Sequence, residues 1–232
     1  MRTNLTWGLA IGFFLTGNAN GSALAEKHNS ANGEKQITIF VYDFAQAEAK
    51  VLRRAEQAAA DIFEKAGTST IWVECPASDS APRNSDCTNI VGPLKLILHV
   101  VRSSGAGSLR PNSDVFGISA LGDHGEFGCD AWVFFDLIKD AALQERLSLP
   151  QILGSLIAHE LGHLLLGPNS HSRDGLMRGR WPRAQLLMAD CGELQFSDAE
   201  RRTIQKAILV RGEAASTLTA NNPPAQQQVD HP

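Results

Sequence analysis

Of 232 residues, one is tyrosine, three are methionine and four are cysteine. Cys75, Cys87, Cys129 and Cys191 form no CxxC pair, so a thiolate zinc cluster lacks its usual ligand spacing. No long basic run occurs and the formal net charge is −4, which argues against nucleic acid or an anionic membrane surface as the main partner. Ser155 lies in LGSLI, without the GxSxG frame of an exposed serine nucleophile. The GAG of 105–107 opens no helical pattern, so it is no phosphate cradle. The apolar run Trp7 to Leu15, WGLAIGFFL, is well short of the roughly 20 residues a membrane span needs.

That run reads instead as the centre of a secretory signal peptide. Arg2 precedes it, and Ala23-Leu24-Ala25 offers a small-x-small cleavage site before Glu26. The expected product is secreted, periplasmic or extracellular, and its oxidising surroundings favour disulfides among the four cysteines. Three pairings are possible. The expected one joins Cys75 to Cys87 across a polar loop and Cys129 to Cys191.

The expected organisation is a signal peptide at 1–25, a loose segment at 26–36, one domain at 37–211 and a disordered tail at 212–232. Strands are expected at Ile37 to Asp43, Ser69 to Glu74, Leu94 to Val101, Val115 to Leu121 and Ala131 to Ile138. A helix is expected from about Ala45 to Lys65, because Val51, Leu52, Ala55, Ala59, Ile62 and Phe63 recur every three or four residues. A second follows Ser148 and Pro150 and ends at Gly167-Pro168, and a last one spans about Asp198 to Val210. This order predicts an α/β (α+β) fold. A twisted, mixed five-stranded sheet would carry the long helix and the second helix, with a small C-terminal part beyond.

The second helix holds the chemistry. His159-Glu160-Leu161-Gly162-His163 is an HExxH motif, and residues four apart lie about 40° apart around a helix. Both imidazoles therefore face one way and can bind zinc in its common helical bidentate mode. Glu160 lies beside them as a general base. The flanking LGSLIA and LLLG look like a buried helix. Burying a carboxylate and two imidazoles without strong partners would cost several kcal/mol or force them neutral, and a metal removes that problem.

The longer run, HELGHLLLGPNSHSRDGLM, resembles the signature of the metzincin zinc peptidases, HExxHxxGxxH followed by a turn containing Met. The resemblance implies that Gly167 ends the zinc helix, that His171 is the third ligand, and that Met177 in Gly175-Leu176-Met177 forms an apolar base under the imidazoles. His171 follows His163 by eight positions, where the family has six. Asp174, Glu193 and Glu200 are the other candidates for third ligand. Some metzincins carry a Tyr two positions after the Met; here that position is Gly179, and the one tyrosine is Tyr42. The resemblance also implies that the strand at 115–121 is a sheet edge beside the cleft. It further implies that Arg178, Arg180 and Trp181, just after the Met-turn, shape that cleft. His99 and His124 read as packed or surface residues.

The expected activity is that of a zinc metalloendopeptidase with one catalytic zinc ion and a peptide or protein substrate. Zinc lowers the pKa of bound water toward about 7, and Glu160 takes that water's proton as it attacks a carbonyl. Two alternatives have the same residues: a catalytically silent protein stapled by zinc, and a hydrolase of non-peptide amides.

Overall fold

The computed structural model describes residues 36–77, 84–88, 90–105, 115–122 and 128–221, with side chains to 215. The signal peptide, the loose segment, most of the 103–113 loop and His124 lie outside the described residues.

Five strands form one mixed sheet: β1 (Gln36–Asp43), β2 (Ser69–Cys75), β3 (Lys95–Val101), β4 (Gly117–Ala120) and β5 (Asp130–Phe134). Their order is β2-β1-β3-β5-β4. All neighbours are parallel except β4, which runs antiparallel to β5 and closes the sheet as an edge. Alternation sets the faces. Ile37, Ile39, Val41, Leu96, Leu98, Val100, Ala131 and Val133 turn inward and are essentially inaccessible to solvent. On the other face Tyr42, His99 and Trp132 stack across three strands, and His99 pairs with Asp130 at 2.9 Å. His99 is thus a packed cross-strand residue and belongs to no cluster of three metal-binding groups among the described residues.

Two helices cover the inner face: α1 (Ala49–Lys65) and α3 (Leu149–Leu166). They cross where Gly154 meets α1. A Cβ at 154 would lie 2.5 Å from the Ala55 carbonyl oxygen and 2.6 Å from Ala58 Cβ, so only glycine permits this approach. α1 starts at Ala49, about four residues later than the expected start near Ala45. Asp43 accepts a hydrogen bond from the Ala47 amide at 2.8 Å, and the Ala45 amide bonds the Val100 carbonyl, which hold 44–48 as a turn.

Three elements differ from the expected set. The fifth strand stops at Phe134, and Phe135–Glu145 is a helix, α2. A short apolar run does not tell strand from buried helix. Here Phe135, Ile138 and Ala142 face the core at helical spacing, and Asp136 in the first turn accepts two bonds from Ser103. A further helix, α4 (Arg183–Asp190), occupies a stretch for which no element was expected. It buries Gln185, Leu186 and Ala189. The last helix, α5, runs Asp198–Asn221, well into the segment expected to be disordered. Arg211 holds it to the rest of the fold. It is 2% exposed and donates to the backbone carbonyls of Pro93, Gly128 and Leu164, which ties the helix down at the point where it was expected to end.

Cys75 and Cys87 form the expected disulfide. Cys129 and Cys191 do not pair; both are thiols. Their positions forbid a bond. Asp190, beside Cys191, caps the start of α3 through the Ser148 amide at 2.6 Å. Gly128, beside Cys129, is tied through Arg211 to Leu164 at the other end of α3. At 1.5 Å per residue those ends are about 24 Å apart, far beyond disulfide reach.

Candidate metal centre

α3 is buried around most of its circumference, and its motif residues are no exception: His159 and Glu160 are each 5% exposed. The helix ends at Gly167, whose φ of 84° and ψ of −169° suit glycine. The chain then turns through Pro168 and Asn169, the latter left-handed at φ 57°. This turn takes up the two extra residues and returns His171 to the helix face. The return loop is fixed from several sides. The Ser172 amide donates to the Met177 carbonyl, Leu176 to the Gln195 carbonyl, and the Gln185 amide side chain to Gly175. Met177 is fully buried. A Cβ on Gly162 would lie 2.9 Å from its Sδ, so the thioether packs directly against the zinc-motif turn of α3.

His159, His163 and His171 each place a ligand atom within 4.8 Å of the others. The Nε2 atoms of His159 and His163 are 3.1 Å apart. Two nitrogens on one tetrahedral zinc stand about 3.3 Å apart, given bonds of about 2.0–2.1 Å. The donor set therefore fits zinc. The tautomers fit as well. His159 Nδ1 lies 2.8 Å from the Leu176 carbonyl, which can only accept, so Nδ1 carries the proton and Nε2 offers its lone pair. His163 Nδ1 lies 2.8 Å from Ser170 Oγ, which can accept the matching proton. Gly179 leaves room for the third ring, since a Cβ there would sit 2.9 Å from His171 Nδ1.

Charge in the metal-free site points the same way. Burial, reinforced by the neighbouring His171 and opposed by the Leu176 bond, pushes His159 down to about 4. Burial and the other two imidazoles push His163 down to about 3. Both rings are neutral at physiological pH, as ligands must be. Burial drives Glu160 up to about 7, against the opposing bond from Ser119. A carboxyl with that pKa can both take and return a proton near neutral pH.

No protein-family model and no curated protein matches this chain. Among solved structures, the crystal structure of archaemetzincin from Methanopyrus kandleri is similar at a TM-score of 0.46 and 12% identity, over 77% of this chain and 99% of that one.

The three histidines and Glu160 open onto a cavity of about 450 Å³. β4 and the residues leading into it line this cavity, including Phe116, Ile118 and Ser119, as do Gly179 and Trp181. Trp181 stands edge-on to His159 at 5.9 Å and donates its indole N–H to the Arg178 carbonyl. Of the three residues expected to shape the cleft, Trp181 lines it, while Arg178 and Arg180 do not. Asp174, Glu193 and Glu200 lie outside the histidine cluster. Glu200 instead accepts from the Ser197 amide as a reciprocal helix cap. Sequence reasoning missed Ser119, Ser170 and the Leu176 carbonyl. The last is backbone and leaves no residue-type signal.

Proposed function

We propose that the chain is a zinc-dependent hydrolase that cleaves peptide bonds. The observation that carries this reading is one cavity lined by three convergent imidazoles and a buried carboxyl of raised pKa. A zinc ion held by His159, His163 and His171 would supply Lewis acidity toward a carbonyl oxygen and make water more acidic. Glu160 takes the proton of the attacking water and hands it to the leaving amine. A purely structural zinc site has no use for such a carboxyl, whose burial is unfavourable at neutral pH.

A peptide substrate is supported by β4. It is the last strand of the sheet, four residues long, and lies directly along the cavity. An extended peptide can add to such an edge by backbone hydrogen bonds. Secretion, inferred from the N-terminal residues, belongs to the same proposal, as does the resemblance to metzincins in the HELGH to Met177 run.

Metal analysis and a peptide-library digest test the reading together. About one zinc per chain and metal-dependent cleavage are expected, with zinc lost from the His159→Ala, His163→Ala double variant. Stoichiometric zinc in that variant would overturn the site. A zinc-loaded parent that cleaves no peptide, yet hydrolyses small amides, would move the substrate class.

A further inference from the structure

We propose that Ser119 and Gly117, on the inner face of β4, are positioning residues that hold the Glu160 carboxyl in its working rotamer. The proposal rests on Glu160 being the proton acceptor of the proposed hydrolysis.

The two residues share one face of the strand. Gly117 is in register with Val133 and Ser119 with Ala131, and both partners are fully buried on the α3 side of the sheet. That face meets Glu160. Ser119 Oγ lies 2.7 Å from Glu160 Oε2 and 2.8 Å from the Glu160 main-chain oxygen. The hydroxyl carries one proton, so it donates to one of the two oxygens, or donates to the main-chain oxygen while a protonated Oε2 donates to it. The latter arrangement closes a ring through Oγ that admits few combinations of Glu160 side-chain torsions.

Gly117 acts by what it lacks. A Cβ there would lie 2.6 Å from Glu160 Oε1, 2.6 Å from Cγ and 2.7 Å from Cδ. Atoms do not approach so closely without displacement, so any other residue would push the carboxyl away. Oε2 is therefore tethered by Ser119, while Oε1 occupies the space that Gly117 leaves open. An untethered glutamate has several staggered rotamers, and a misplacement of about 1 Å at a reacting group can slow a reaction about a hundredfold. The arrangement also ties the general base to the strand on which an extended substrate would lie.

Three variants test this: Ser119→Ala, Ser119→Thr and Gly117→Ala. Each is assayed for zinc content, for kcat and KM on a peptide the parent cleaves, and by a crystal structure of the metal-free protein. Ser119→Ala should keep the parent's zinc content and a KM within about twofold. Its kcat should fall roughly tenfold to a hundredfold, and its Glu160 carboxyl should be displaced or spread over rotamers. Ser119→Thr keeps the hydroxyl and should recover most of kcat. Gly117→Ala should displace the carboxyl with Ser119 intact. In a Glu160→Gln background, Ser119→Ala should cost nothing further.

Parental kcat in Ser119→Ala, or a Glu160 side chain unmoved in its crystal structure, would overturn the proposal. So would equal loss of zinc and turnover in Ser119→Ala and Ser119→Thr, which would mark the serine as merely structural. If the parent itself cleaves no peptide, the peptidase reading fails, and the Glu160 rotamer alone decides the role of Ser119.

Discussion

Replacing Glu160 with glutamine should make the metal-free protein more stable above neutral pH, and should abolish turnover by the zinc-loaded protein. The folded-state carboxyl has its pKa pushed up to about 7 by burial, from an ordinary value of 4.5. A raised folded pKa means that the protonated form is the one the fold accepts. Its stability contribution is complete below pH 4.5 and is lost as pH rises through 7. At 1.36 kcal/mol per pKa unit, the loss reaches about 3 kcal/mol at pH 8 and is under about 1 kcal/mol at pH 5. Glutamine cannot ionise, yet it matches the shape beside Gly117 and can still accept from Ser119. The stability difference between Glu160→Gln and the parent should therefore grow by about 2–3 kcal/mol from pH 5 to pH 8. Urea denaturation in a chelator measures it, and the other titrating groups cancel in the comparison. Zinc should shrink the difference, because a nearby dication stabilises the carboxylate. A difference that stays flat with pH to within about 0.5 kcal/mol would refute the account of Glu160 as a buried, destabilising base.

Three further outcomes bear on the scaffold. The native protein should show two titratable thiols per chain, with Cys191 reacting fast and Cys129 slowly. Cys191 is exposed, whereas burial and the Asp130 carboxylate push the Cys129 thiol up to about 11. Removing the Cys75–Cys87 bond by double alanine substitution should lower stability by about 3 kcal/mol, and a native thiol count of zero would restore the rejected second bond. Arg211→Met should destabilise by about 3 kcal/mol, because it strips charge-assisted donors from three backbone carbonyls. A loss below about 1 kcal/mol in denaturant melts would show that α5 is held by its apolar contacts instead.

Sequence by itself determined most of the architecture and the core of the site. Period-two and period-3.6 patterns carry their own address, so β1, β2, β3, α1 and α3 stood out within a few residues of their observed ends. HExxH on a helix places two imidazoles on one face by helix geometry alone, without any tertiary contact. Tertiary structure decided what depends on distant partners. The 135–145 stretch became a helix because its apolar spacing met the core and Asp136 met Ser103. α5 continues past Val210, where Arg211 meets three carbonyls from distant parts of the chain. Cys129 and Cys191 stayed apart because α3 runs its full length between them. The eight-residue spacing to His171 was ambiguous until the Pro168–Asn169 turn brought the ring back to the helix. Ser119 and Gly117 could not be found from their own neighbours in the chain. They are 41 and 43 positions from Glu160, and only the antiparallel docking of β4 at the sheet edge brings them to its carboxyl.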